Sequence, residues 1–339
     1  MATYPQVLVT GAAGFIGFHL SHALLKRGYS VVGLDNLNTY YDVTLKENRL
    51  AILKTFPGYH FYQYDLENKD RVDAVFEMHP FDYVINLAAQ AGVRHSLTHP
   101  YSYVNTNISG FLNILEACRK HKPRHLLFAS SSSVYGGNHK VPFSVHDSTD
   151  HPLALYAASK KANELMAHAY SNLFHIPVTG LRFFSVYGPL GRPDMALFIF
   201  TKAILSGTPI DIYNFGRMAR DFTYVEDLVE GIIALIPQVP QSNEAWDADK
   251  PDPATSWAPY RILNIGNNQP VELTYFIETL ESKLQRKALK NFLPIQTGDV
   301  DNSASDISDL EKVIGRLQRT SIEVGIGHFV DWYLSYYKD

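Results

Sequence analysis

The chain has 339 residues and a mass of 38.2 kDa, with 46% hydrophobic and 19% charged residues, which excludes a disordered chain and supplies apolar material for one large α/β unit or two unequal lobes. With 30 Lys and Arg against 34 Asp and Glu, the net charge is −4, and nothing argues for nucleic acid or an anionic membrane surface as partner. Cys118 is the only cysteine, which excludes an internal disulfide and a cysteine-built metal site, and no metal is expected.

In chain order, short apolar runs alternate with amphipathic stretches. Strands are predicted at Gln6–Thr10, Ser30–Leu34, His60–Tyr64, Tyr83–Asn86, His125–Ala129 and Val178–Phe183, and helices over stretches such as Phe15–Arg27 and Asn105–Lys120. That alternation implies a Rossmann-type doubly wound parallel sheet covered on both faces. Beyond Ser185 the rhythm loosens into turn signals such as Gly188-Pro189 and Gly207-Thr208-Pro209. The expected division is therefore 1–184 for the sheet domain and 185–339 for a smaller, irregular lobe, with later segments returning to the first. Pro237–Pro259, with five prolines, reads as a long surface loop, and the aromatic helix around Phe329–Tyr337 as one that packs on a neighbour. No apolar run reaches the roughly 20 residues that span a bilayer, and the N-terminus passes directly into Val7-Leu8-Val9, so a cytoplasmic protein is expected.

Gly11-Ala12-Ala13-Gly14-Phe15-Ile16-Gly17 lies between the first strand and the first helix. There, glycines permit a tight turn, let a pyrophosphate approach the backbone, and let helix meet strand, while the helix N-terminus offers free N–H groups to the anion. The second strand ends at Asp35, 18 residues after Gly17, where a carboxylate can accept hydrogen bonds from both ribose hydroxyls and repel a 2′-phosphate. NAD is therefore the expected cofactor, with further candidates at later strand ends: Asp65 and Leu66, then Leu87, Ala88, Ala89 and Gln90. For Asp65 a loop-capping role is the competing reading.

Ser130-Ser131-Ser132-Ser133 follows the fifth strand, and Tyr156 and Lys160 stand four apart near the start of a helix, one turn from each other on one face. A phenol of pKa about 10 is a poor base at neutral pH, but an ammonium and a positive nicotinamide ring beside it both favour the phenolate. A serine hydroxyl completes a proton path to a substrate hydroxyl.

The glycine pattern, the serine run before Val134-Tyr135-Gly136, and Tyr-x-x-x-Lys together resemble extended short-chain dehydrogenases/reductases that modify sugar nucleotides. Four further stretches are most similar to UDP-glucuronate 4-epimerases: Asp35-Asn36-Leu37-Asn38 with Tyr40-Tyr41-Asp42, Asn86 to Arg94, Gly188 to Ala196, and Arg220 to Asp227. The resemblance implies transient oxidation at the sugar C4 by tightly held NAD. Tyr156 would take the O4 proton, Lys160 tune it and hold the nicotinamide ribose, and Ser131 relay the proton, with Ser133 or Ser132 as alternative partners in the relay. It also adds Phe15, Ile16, Asn36, Asn38, Ser130 and Phe183 to the cofactor candidates. On the sugar-nucleotide side it implies Arg94, Ser131, Ser132, Ser133, Ser185, Arg192, Tyr213, Arg217, Arg220 and Asp299. Gln296 stands where galactose-type relatives carry a second phosphate-binding arginine, which moves that duty toward Arg192 or Arg217. The competing reading of Arg192 is a turn cap, and Asp221 reads as an ion-pair partner.

A 4-keto uronic acid loses CO₂ readily, so the same first step could serve a decarboxylase or, on a neutral sugar, a dehydratase. Related enzymes of those kinds carry acids just before Val-Tyr-Gly, whereas this chain has only serines. Epimerisation of UDP-glucuronate is the expected activity, with UDP-glucose/UDP-galactose or UDP-N-acetylhexosamine as runner-up substrates. A non-catalytic NAD-binding regulator is the reading from another class, but it has no use for Tyr156, Lys160 and Ser131 together. A homodimer is expected, because family members pair through helices flanking the tyrosine, and Asn105–Cys118 and Tyr156–Leu173 are apolar beyond one stripe.

Overall fold

A computed structural model describes residues 5–296 and 301–338. The first half runs β1 (Gln6–Thr10), α1 (Phe15–Lys26), β2 (Ser30–Asp35), α2 (Val43–Leu53), β3 (Tyr59–Gln63), α3 (Lys69–Met78) and β4 (Tyr83–Asn86). Two single turns, α4 (His95–Thr98) and α5 (Pro100–Tyr103), lead through a π-helical segment, Val104–Gly110, into α6 (Phe111–His121), followed by β5 (His125–Ser131), α7 (Leu155–Phe174) and β6 (Val178–Phe183). The second half comprises β7 (Ser185–Tyr187), α8 (Ala196–Ser206), β8 (Ile210–Ile212), β9 (Ala219–Tyr224), α9 (Val225–Leu235), β10 (Tyr260–Ile265), β11 (Pro270–Glu272), α10 (Leu273–Leu284), β12 (Lys290–Phe292), α11 (Ser308–Ile314) and α12 (Ile322–Tyr336).

Seven strands form one sheet in the order β3-β2-β1-β4-β5-β6-β10, every neighbouring pair parallel. The alternation of side chains along β1 explains its unbroken hydrophobicity. Val7 and Val9 enter the core shared with α1, α9 and α11, while Leu8 enters the core shared with α3, α6 and α7. Chain order reverses between β1 and β4, and a crevice opens there beyond the carboxyl ends of the strands, the usual ligand position in such sheets.

β10 comes from the second half of the sequence yet lies beside β6, with Ile262 and Leu263 buried on opposite faces. The remaining strands make two small sheets, β11-β9-β7 and β12-β8. They are packed against α8, α10 and α12 in a separate core that includes Phe198, Phe276, Phe329 and Tyr333. The aromatic faces of α12 thus have their neighbour. The helix predicted from Asn105 begins instead as the π-helical segment, whose wider turn directs Asn107 inward: its Oδ1 accepts from the Gln90 N–H at 2.8 Å, and its Nδ2 donates to the Ser159 hydroxyl at 2.9 Å. Among the described residues no helix is long and apolar enough to cross a membrane.

Candidate active site

The turn after β1 needs its glycines for stated reasons. Gly11 has φ +69°, and a Cβ there would stand 2.9 Å from the Ala88 nitrogen after β4; a Cβ at Gly17 would fall on the Gly11 carbonyl. Backbone from β1 and β4 thereby closes to a narrow floor at the point where the strand order reverses. Asp35, at the end of β2 and only 8% exposed, organises the next wall, accepting from the Ala13 N–H at 3.1 Å and the Leu37 N–H at 2.9 Å. Burial raises its pKa, and those two N–H groups, with the nearby charges of Lys46 and Arg49, oppose the rise.

These walls enclose a cavity of about 240 Å³. The structure brings all of the cofactor candidates to its lining: Gly11, Gly14, Phe15, Ile16 and Gly17 from the turn and the start of α1, Asp35 from the end of β2 with Asn36 and Asn38 just after it, Asp65 and Leu66 after β3, Leu87 to Gln90 after β4, and Ser130, Tyr156, Lys160 and Phe183 from the far side. The cradle a Cβ would fill at Gly11 and the paired-oxygen carboxylate at Asp35 fit a dinucleotide. Asp65 also takes the capping part read for it, since its Oδ1 accepts from the Glu67 N–H at 3.2 Å and its Oδ2 from Asn36 Nδ2 at 3.1 Å.

Beyond Tyr156 the crevice widens into a second cavity of about 770 Å³. Arg94, Ser131, Ser132, Ser133, Ser185, Arg192, Tyr213 and Arg220 line it, together with Tyr156. Arg94 lies over the Tyr213 ring, 5.0 Å from its centroid. Arg217 is exposed and comes into neither cavity, and Asp299 lies outside the described residues.

Ser131 Oγ accepts from the Ser133 N–H at 3.2 Å and the Ser133 hydroxyl at 2.8 Å. With those lone pairs occupied by donors, its own O–H is left for the Tyr156 phenol. Burial pushes that phenol up, while hydrogen bonding from Ser131 and the positive charge of Arg192 pull it back. The sequence spacing assigns this role to Lys160. In the structure the buried Lys160 Nζ donates to the Ala129 carbonyl at 2.8 Å, and burial lowers its pKa to about 8. Arg192 is no turn cap. Its Nε and Nη2 grip the Asp194 carboxylate at 3.0 and 2.5 Å, and Asp194 also accepts from the Tyr40 hydroxyl at 3.1 Å. Tyr40 reaches over from the loop after β2, passing Gly92, whose φ is +99° and where any Cβ would collide with the Tyr40 hydroxyl.

Asp221 departs from the sequence reading. It is wholly buried and partners backbone: it accepts from the N–H groups of Asn267, Asn268 and Ser305 at 2.8 to 3.1 Å and from the Ser305 hydroxyl. Such an array satisfies a buried carboxylate without a cation.

Sequence reasoning passed over Tyr40, Arg49, Asn107 and Asp194. Tyr40 and Asp194 belong to stretches that carried the resemblance, so a signal for them was present; Asn107 had none, because its inward turn depends on the π-helical distortion.

A parallel sheet whose crossover cavity abuts a Tyr-x-x-x-Lys helix defines an NAD-using enzyme of the short-chain dehydrogenase/reductase type. More narrowly, residues 7–248 match the NAD dependent epimerase/dehydratase family, and the chain belongs to it. It is 48% identical over 335 residues to a probable UDP-glucuronate 4-epimerase of Rhizobium meliloti (strain 1021), covering 98% of each chain. Its fold is similar to that of the UDP-glucuronic acid 4-epimerase from Bacillus cereus in complex with UDP-glucuronic acid and NAD, with TM-score 0.84 and 33% identity over 98% of this chain and 100% of that one. It is also similar to the UDP-glucose 4-epimerase of Thermotoga maritima with UDP-glucose, with TM-score 0.83 and 28% identity over 98% and 99% of the two chains. The fold is thus common to epimerases of both sugars, and the choice between them falls to the side chains.

Proposed function

We propose that this protein interconverts UDP-glucuronate and UDP-galacturonate through a transient 4-keto sugar. The observation that carries the reading is the wall facing Tyr156: Ser131, Ser132, Ser133 and Ser185 with Arg192, and no acid in the strand-end serine run. Hydroxyls can satisfy a C6 carboxylate without repelling it, and the Arg192 guanidinium, although it also grips Asp194, supplies positive charge beside them. The relatives named above, which include an enzyme crystallised with UDP-glucuronic acid and NAD, support the same choice.

Tyr156, as a phenolate steadied by the Ser131 hydroxyl and by the nearby positive charge of Arg192, takes the proton from O4 and becomes the phenol. NAD, when bound, would supply hydride acceptance and return at C4, and inversion requires the 4-keto sugar to turn over between the two so that hydride re-enters on its opposite face. Lys160, anchored on the Ala129 carbonyl, holds the nicotinamide ribose, and Phe183 packs at the ring. Gly11, Gly14 and Gly17 admit the pyrophosphate, and Asp35 takes the adenosine ribose. Tyr213, Arg94 and Arg220 hold the UDP. Serine contacts keep the carboxylate in the sugar plane, with its C–C bond out of line with the carbonyl π system, which suppresses loss of CO₂.

The sheet domain, 1–184 with β10, α9 and α11, carries the cofactor, and the rest of 185–339 carries the sugar nucleotide. A second copy covers the exposed Leu97, Tyr101, Leu165 and Leu173, which lie on α4, α5 and α7, and the protein acts as a cytoplasmic homodimer.

The deciding experiment supplies each UDP-sugar separately without added NAD and resolves the products by chromatography. Charge-assisted bonding worth about 1.5–3 kcal/mol favours UDP-glucuronate over UDP-glucose by roughly 10- to 150-fold, with little UDP-pentose formed. Equal rates on the two sugars would remove the carboxylate site, and abundant UDP-pentose would remove the protective geometry.

A further inference from the structure

Behind the serine run lies a buried ion pair that the mechanism above does not use. Glu164 sits on α7, eight residues after Tyr156 and four after Lys160, and Arg182 sits on β6; they are 2% and 0% exposed. Their contact is bidentate, Nε to Oε1 and Nη2 to Oε2, each 2.9 Å. Three further contacts extend it. The Ser130 hydroxyl donates to Glu164 Oε1 at 2.6 Å. The Arg182 guanidinium lies over the Tyr135 ring at 4.8 Å. The Tyr135 hydroxyl donates to Asn264 Oδ1 on β10 at 2.7 Å. In register, Arg182 stands between Ser130 on β5 and Asn264 on β10.

Ser131, Ser132 and Ser133 are therefore held from both ends, through Ser130 at one side and Tyr135 at the other, by a pair rooted in the helix that presents Tyr156. We propose that Glu164 and Arg182 are positioning residues that lock α7 against the end of β5, so that the Ser131 hydroxyl meets the Tyr156 phenol in the geometry proton transfer requires. A buried ion pair is a poor device for stability alone, because desolvation consumes most of its attraction and an apolar pair of similar volume often does as well. Its bidentate, directional contacts fix relative position, which an apolar pair does not.

The proposal rests on the epimerase reading for its kinetic readout and has a second readout that needs no sugar. The variant is the apolar double replacement Glu164→Leu with Arg182→Met, which removes both buried charges together and leaves Lys161, 3.8 Å from Glu164 in the native protein and partly exposed, to solvent, alongside Arg182→Lys, which keeps a cation opposite Glu164. The double variant folds and retains NAD, yet its kcat on UDP-glucuronate falls by up to about 100-fold, the scale of a misplacement near 1 Å, with KM nearly unchanged. The Tyr156 phenol, followed by ultraviolet difference titration against Tyr156→Phe, titrates at higher pH than in the wild type, and so does the acid limb of kcat. Ser131, Lys160, the Tyr103 ring on α5 and Arg192 still face the phenol in this variant, so an upward movement reports lost alignment. Arg182→Lys recovers part of kcat. A folded double variant with wild-type kcat and wild-type phenol titration overturns the proposal, as does a kcat loss that only tracks the folded fraction. Wild-type protein inert toward UDP-glucuronate would overturn the functional reading instead, and the phenol titration alone would then decide the role of the pair.

Discussion

Asp35→Asn isolates the carboxylate that sets cofactor choice. The side-chain volume is kept, but one of its two oxygens becomes a donor. Because the Ala13 and Leu37 N–H groups both point at the native carboxylate, at 3.1 and 2.9 Å, one of them must then face an amide N–H. A buried donor left in that position costs about 1–3 kcal/mol of stability. For NAD, replacing a charged acceptor of the ribose hydroxyls by a neutral one removes about 1.5–3 kcal/mol, or roughly 10- to 150-fold in affinity. For NADP the sign reverses. A 2′-phosphate about 4 Å from the carboxylate is repelled by about 4 kcal/mol per unit charge at an effective dielectric of 20, and the ammonium of Lys46, whose charge couples to Asp35, offsets part of that. Isothermal calorimetry on cofactor-stripped protein should therefore give a wild type that prefers NAD by up to about 1000-fold and a variant in which NAD binds more weakly and the gap narrows. The reasoning fails if the variant holds NAD as tightly as the wild type, or if the wild type binds both dinucleotides alike.

Tyr156→Phe should keep the fold and NAD but lose turnover by roughly 10²- to 10⁴-fold, the range for a missing acid–base group, and a near-normal rate would remove Tyr156 from the chemistry. Burial lowers the Lys160 pKa from 10.5 to about 8, so kcat should decline as pH rises through that value and the ammonium is lost, a decline absent from Lys160→Met. Stability runs the other way: between about 8 and 10.5 the unfolded chain keeps a proton that the folded one has released, so this residue's contribution rises with pH across that window, measurable as the wild-type minus Lys160→Met difference in unfolding free energy. Leu165→Glu, at a site 61% exposed on α7, should turn a homodimer into monomers by light scattering, and a wild type that is already monomeric at micromolar concentration would refute the proposed pairing.

The inner strands of the first half were legible because they are buried on both faces and so appear as apolar runs with sharp ends; β1, β4 and β6 fall on the residues the sequence indicates, whereas β10, which joins the sheet from beyond Ser185, is not among the strands read there. The glycine turn was legible because a backbone constraint writes itself as a residue type. Long-range polar partners were not. Asp221 looks like half of an ion pair in Arg220-Asp221, yet its acceptors are filled by N–H groups 46 or more residues away, and no local pattern encodes a fold that delivers amides to a carboxylate.

Arg49 marks the limit most clearly. In Lys46-Glu47-Asn48-Arg49 it reads as the polar face of α2, yet it is wholly buried. One edge of its guanidinium donates to the Ala13 carbonyl in the glycine turn at 2.9 Å and to the Tyr41 hydroxyl at 2.8 Å; the other donates to the Leu190 and Gly191 carbonyls at 2.6 and 3.3 Å. His19 repeats the tie, its Nε2 meeting the Pro189 carbonyl at 2.9 Å, with burial lowering its pKa to about 4 so that the ring is a neutral donor at physiological pH. The loop that carries Arg192 and Asp194 is thus referenced directly to the turn that forms the cofactor floor. Carbonyl oxygens are fixed by the backbone, so displacing either partner would strand a buried charged donor, at a cost well above that of an ordinary hydrogen bond. The guanidinium that faces Tyr156 and the glycines that admit the dinucleotide consequently hold their relative positions through α2, an element that lines neither the serine wall nor the catalytic helix.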